Sequence, residues 1–206
     1  MHIKKKKICV YCSSSENLDK LYYDEARVLG KLLAQNNFDV VYGGGNLGVM
    51  NAVASCAKEY GAKIYGVIPE KLHNYGLQAP YCDELIITDN IRNRKDKMDE
   101  LSDGFIALAG GFGTLEEISE ALGHKQLAYH NKPIIFLNTN GFYDDLLKFF
   151  DRIIKEKFAK KTLKESYYVA NTPKDVINYL LNYDGQKIPD NYYINESVVN
   201  NKKIKL

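Results

Sequence analysis

Gly110, Gly111, Phe112, Gly113 and Thr114 are followed at once by Leu115, Glu116 and Glu117. Glycines carry no Cβ, so their amides can close around a phosphate, and the threonine hydroxyl adds a further donor. A carboxylate beside such a cradle repels the anion that the cradle attracts. Its presence therefore points to chemistry on the sugar or base attached to the phosphate, either stabilising a cationic sugar or activating water. The spacing has a second reading, because Thr114 and Glu117 also fit the [ST]xxE capping box, in which the two side chains tie off a helix start. Glu117→Gln separates the readings, since glutamine keeps the capping bond but neither carries charge nor accepts a proton.

A second glycine cluster, Gly43, Gly44, Gly45, Asn46, Leu47 and Gly48, satisfies GxGxxG. It too offers bare amides followed by a helix start with partial positive charge. A third element is the basic run Arg92, Asn93, Arg94, Lys95. Arginine can hold a phosphate or base by two parallel hydrogen bonds, and lysine acts as a point charge, although a solvated helix face is the plain reading of such a run. Cys9 and Cys12 form a CxxC, but residues three apart on a strand face opposite sides, which favours core packing over metal or redox chemistry. His73, His124 and His130 have no metal-ligand spacing. His124 lies seven residues after Glu117, within reach of a site or an interface, with a structural role favoured. No metal and no cofactor is expected.

These residues need elements to bring them together. Apolar runs rich in Val, Ile, Phe and Tyr at 8–12, 38–42, 64–68, 85–88, 105–109, 133–137 and 167–170 imply seven strands. Helical periodicity at 18–35, 47–60, 114–129, 142–157 and 173–182 alternates with them, the last opening on Thr172 and Pro173. The alternation predicts an α/β, Rossmann-like, doubly wound parallel sheet of about seven strands with helices on both faces. Its ligand site belongs at the carboxyl edge, where all three motifs fall. Residues 1–183 suit one nucleotide-binding domain, and 184–206 read as a polar C-terminal tail.

Composition narrows the partners. The formal charge is only +2, so neither a nucleic-acid polymer nor a membrane is an expected partner, and any anion must be caught locally. No apolar run approaches the ~20 residues of a membrane helix. Four cysteines in a chain of this size do not suggest a disulfide scaffold, which together with the lack of a signal-peptide core predicts a cytoplasmic protein.

Residues 42–50 (YGGGNLGVM), 66–69 (GVIP), 94–98 (RKDKM) and 109–117 (AGGFGTLEE) together resemble the LONELY GUY family of nucleoside 5′-monophosphate phosphoribohydrolases. The family's patterns are YGGGxxGLMG, RKxxM and PGGxGTxxE, and three linked motifs are far more specific than one. The resemblance implies a Rossmann-like fold, a homodimer or higher homo-oligomer, and cleavage of AMP or a cytokinin riboside monophosphate to free base and ribose 5-phosphate. It makes Arg94 and Glu117 the catalytic pair. Lys95, Met98, Gly110, Gly111, Phe112, Gly113, Thr114, Glu116, Gly43, Gly44, Gly45 and Ser14 become the substrate contacts. Ala109, Ser13, Asn51 and the pair Arg92 and Asn93 depart from the family pattern. Ser13 bears on the width of the first turn, and Arg92 on which base is accepted. The label "lysine decarboxylase" that many relatives carry finds no support, since no lysine has a recognisable pyridoxal phosphate setting. Two alternatives stay open: a non-catalytic carrier of a phosphate-bearing cofactor, like the molybdenum-cofactor carriers, and a nicotinamide-dependent oxidoreductase with Glu70 on the ribose.

Overall fold

The computed structural model describes residues 5–185. The expected tail, apart from Asp184 and Gly185, and the first four residues lie outside these. In chain order the elements are β1 (Lys6–Tyr11), α1 (Lys20–Gln35), β2 (Phe38–Tyr42), α2 (Gly48–Glu59), β3 (Ile64–Pro69), α3 (Glu70–Asn74), β4 (Glu84–Thr88), α4 (Ile91–Leu101), β5 (Gly104–Ala107), α5 (Phe112–Gln126), β6 (Ile134–Leu137), α6 (Asp144–Lys155), β7 (Tyr168–Ala170) and α7 (Pro173–Asn182). The strands form one parallel sheet in the order β4-β3-β2-β1-β5-β6-β7.

Every residue of β2, β5 and β6 is buried, which is why these strands read as unbroken apolar runs rather than alternating ones. Side chains of α1, α2 and α7 pack one face of the sheet, and those of α4, α5 and α6 cover the other. Cys9 belongs to the second layer and Cys12 to the first, so the CxxC points both ways as strand geometry requires. All four cysteines are unpaired. Among the described residues no helix is long and apolar enough to cross a membrane.

From β1 the chain builds outward through β2, β3 and β4, then crosses back through α4 to lay β5 along the other side of β1. The connections after β1 and β5 therefore leave the sheet in opposite directions and open a crevice at its carboxyl edge.

Two helices lie outside the five that periodicity marks. The short α3 buries no side chain, and α4 buries only Met98. A helix so charged has no apolar stripe to read, yet its start is well specified. The Asn90 side chain accepts hydrogen bonds from the Arg92 and Asn93 amides at 2.9 and 3.0 Å, an N-cap.

Candidate active site

The crevice holds a cavity of about 380 Å³. The turn after β1 contributes Cys12 and Ser14, the turn after β2 gives Gly43 and Gly45, α4 gives Arg94 and Met98, and α5 gives Gly113, Thr114 and Glu117. Residues from three separate motifs thus meet in one wall. A roomier groove of about 930 Å³ runs beside the end of α6, lined largely by lysines. It shares no residue with the cavity and holds none of the predicted site residues.

Arg94 and Glu117 touch: Nη1 donates to Oε1 of Glu117 at 2.6 Å, and the two side chains are 11% and 10% exposed. Nε of Arg94 donates to the Val67 carbonyl at 3.0 Å, so the guanidinium is anchored to the end of β3 as well as to α5. A Cβ built at Gly43 would collide with Nη2 of Arg94 and with Cε of Met50. Gly43 is therefore bare to admit the arginine. Burial pushes the Glu117 carboxyl above its usual range, and the adjacent Arg94 only partly opposes that. The site thus holds a carboxylate whose proton affinity is enhanced, beside the guanidinium of Arg94.

The two glycine turns differ in what their backbones do. In the first, Gly44 adopts φ +73°, its carbonyl accepts from the Ala79 amide at 2.8 Å, and the Asn46 amide donates to Leu77 at 3.0 Å. The Met50 amide, in the first turn of α2, donates to the Ser13 carbonyl at 3.1 Å. Much of this turn is committed to the protein's own backbone. The second turn is open. α5 is N-capped by Gly111 with no side-chain cap, and its first internal bond runs from the Leu115 amide to the Gly111 carbonyl. The amides of Phe112, Gly113 and Thr114 are left facing out of the helix end, as helix geometry requires. A Cβ at Gly111 or at Gly113 would meet nothing within 4 Å. Their bareness serves no packing among the described residues, whereas a tetrahedral anion at the helix start would use it.

Thr114 and Glu117 do not form a capping box. The helix begins two residues before Thr114, which lies in its first turn, and Glu117 turns to Arg94. Thr114 is buried with Oγ1 so close to Gly110 that a Cβ there would overlap it, which gives Gly110 a packing role. Gly44, Lys95, Gly110, Gly111, Phe112 and Glu116 do not line the cavity. Phe112 is 91% exposed. Lys95 is paired with Glu116 and Glu120, and His124 with Asp99. Arg92 is exposed in the first turn of α4, outside the cavity wall. Asn51 accepts a hydrogen bond from the Tyr81 hydroxyl at 2.8 Å.

Sequence reasoning missed the apolar wall: Tyr11, Leu47, Ile68, Leu72, Leu77 and Ile91. Leu72 and Leu77 reach it because residues 77–79 pair with the Gly44 turn, including an antiparallel bridge between Gly45 and Gln78. No local pattern marks residues gathered from so many segments.

This is an α/β nucleotide-binding architecture whose switch-point cleft joins an open helix start to a buried arginine–glutamate pair. The family model described as "Possible lysine decarboxylase" matches residues 50–180. A protein of Oryza sativa subsp. japonica named "Probable cytokinin riboside 5'-monophosphate phosphoribohydrolase LOGL2" is 39% identical over 88% of this chain and 74% of its own length. The cytokinin riboside 5'-monophosphate phosphoribohydrolase LOG3 of Arabidopsis thaliana is 38% identical over 87% of this chain and 84% of its own. The chain belongs to the LONELY GUY family. Among solved structures, the molybdenum cofactor binding protein of Rippkaea orientalis superposes with a TM-score of 0.66 at 28% identity, covering 87% of this chain and 97% of that one.

Proposed function

We propose that the chain hydrolyses the N-glycosidic bond of a nucleoside 5′-monophosphate, AMP or a cytokinin riboside monophosphate, releasing free base and ribose 5-phosphate. The observation that carries this reading is the Arg94–Glu117 pair, buried in the wall that also presents the uncapped start of α5. The amides of Gly113 and Thr114 take the 5′-phosphate, and its binding energy positions the ribose. As the bond to the base breaks, its electron pair leaves with the base nitrogen, and positive charge develops on the sugar. The Glu117 carboxylate stabilises that charge and accepts a proton from the water whose oxygen bonds to C1′. Arg94 favours the carboxylate form of Glu117 and stabilises negative charge on the departing base.

The cofactor-carrier reading draws on the fold shared with the molybdenum cofactor binding protein. A carrier has no use for a buried carboxylate beside an anion cradle. Incubation with a panel of nucleoside monophosphates, scoring ribose 5-phosphate and free base, decides between them. Glu117→Gln is expected to lose about 10² to 10⁴-fold in turnover, the scale of general-base assistance, while still binding AMP. Unchanged hydrolysis in that variant, or none in the wild type, overturns the assignment. A homodimer in the cytoplasm is part of the same proposal, supported by four unpaired thiols and by exposed aromatic side chains at the ends of α5 and α6.

A further inference from the structure

Lys95 stands next to Arg94 in sequence but faces away from the cavity. Its ammonium lies 2.9 Å from Oε1 of Glu116 and 3.0 Å from Oε2 of Glu120, with the side chain only 11% exposed. One turn along α4, Asp99 accepts from Lys132 at 2.5 Å and lies 3.3 Å from Nδ1 of His124. Lys95 and Asp99 thus share one edge of α4, while Glu116, Glu120 and His124 occupy successive turns of α5. The two helices are joined by a seam of ion pairs and a hydrogen bond.

The seam matters because α4 rests on the sheet, with Arg94 tied to the Val67 carbonyl, while little of its packing is against α5. Met98 is its only fully buried side chain, with Leu101 partly buried beside it, and so small an apolar contact lets a helix slide along its neighbour. Arg94 must nevertheless meet Glu117 at hydrogen-bond distance. Lys95 bridging two carboxylates one turn apart fixes the position of α4 along α5, and the adjacent residues on both helices are the proposed catalytic pair. Its ammonium is no free phosphate ligand: two carboxylates hold it and would repel an approaching anion. Burial favours the neutral amine, yet Glu116 and Glu120 outweigh burial and keep Lys95 more firmly protonated than an ordinary lysine.

We infer that Lys95 is a positioning residue, which through Glu116 and Glu120 sets the register of α4 on α5 and so holds Arg94 against Glu117. The consequence for turnover rests on the hydrolase reading above, whereas the consequence for Glu117 does not.

The experiment compares full-length wild type with Lys95→Met, Lys95→Arg and the double variant Glu116→Gln/Glu120→Gln. In steady-state hydrolysis of AMP, Lys95→Met and the double variant are expected to lose about 10²-fold in kcat, the scale of a 1 Å misplacement, with KM nearly unchanged. Lys95→Arg, which can still bridge both acids, is expected to recover most of that loss. A raised KM with kcat intact identifies Lys95 as a nucleotide ligand and overturns the inference. Equal losses in Lys95→Met and Lys95→Arg overturn it too. The second readout is the NMR titration of the Glu117 carboxyl in ligand-free protein. Its midpoint is expected to move up in the double variant, because Arg94 is no longer held against it, even though losing the Glu116 charge by itself lowers it, and to stay in place in Lys95→Arg; in Lys95→Met the lost lysine charge raises it as well. A midpoint that stays or falls in the double variant refutes the positioning role. Wild type that cleaves no nucleotide refutes the hydrolase reading alone, leaving the titration to decide the rest. Should Lys95→Met fail to fold, the double variant carries both measurements with the lysine in place.

Discussion

Glu117 stands under two opposed influences, and their balance sets a measurable pH dependence. Burial favours the protonated acid, Arg94 favours the carboxylate, and burial wins, so the pKa lies above the ordinary glutamate value of 4.5. A reaction that needs the carboxylate loses rate as pH falls through that raised value. The acid limb of kcat/KM is therefore expected above 4.5. Arg94→Met removes the stronger of the two opposing cations, Arg94 and Lys95, so the limb of its residual activity should move further up. A pH–rate profile with its limb at or below the ordinary value, or one that Arg94→Met leaves in place, would contradict the role given to the carboxylate. Glu117 is legible as an acid beside an anion cradle, whereas Arg94 sits in a basic run whose plain reading is a solvated face, and only the family resemblance pairs it with Glu117. Thr114 was legible as a polar helix-start residue but not in its true position, since spacing alone does not say whether a helix begins at a threonine or two residues before it. Gly43 had a different reason to be bare from the one its motif suggests: it makes room for an arginine from α4, a contact between residues 51 positions apart in the chain.

Elements were readable where burial leaves a period. The seven strands lie where their apolar runs fall, and α7 spans the residues 173–182 that its Thr172 cap and Pro173 mark. α3 and α4 were not, because helices held by turns, caps and ion pairs have no apolar stripe. The pairing of α1 with α2 depends on close approach that the pattern does not announce. Gly30, in the middle of α1, is buried against α2, and a Cβ there would collide with the Val53 carbonyl oxygen and lie 3.0 Å from the Ala57 amide nitrogen. Both are backbone atoms within α2 and cannot swing aside. Gly30→Ala thus sets a gain in helix propensity of roughly 1 kcal/mol against forced separation of two helices, which typically costs about 1–3 kcal/mol or more for overpacking. The collision with backbone decides the sign. Thermal unfolding is expected at a lower Tm by several degrees, at about 2–4 °C per kcal/mol for a domain of this size. An unchanged or higher Tm would show that α1 can lift away from α2 at no cost.

At the scale of the whole molecule the architecture is permissive: the same frame appears in a molybdenum cofactor binding protein, so the fold alone does not select hydrolysis over carriage. What the molecule adds is its outer surface, and here the sequence was least informative, because an exposed aromatic has the same letter as a buried one. Leu127 and Tyr129 just beyond α5, Phe149 on α6 and Phe158 just after it are each more than half exposed. Isolated exposed apolar residues are ordinary, but several bulky ones on and just beyond two helices are what a subunit contact uses. α6 fits that role, since it carries two phenylalanines and four aliphatic residues yet buries none of its side chains completely. The expected mass by light scattering is therefore about twice the 23.4 kDa of the chain. Phe149→Asp together with Phe158→Asp places two charges on that surface without touching the cavity, and should yield a folded species at the mass of one chain. Wild type that remains at one chain's mass across micromolar concentrations would remove the dimer, and a double variant that stays paired would move the contact to another face.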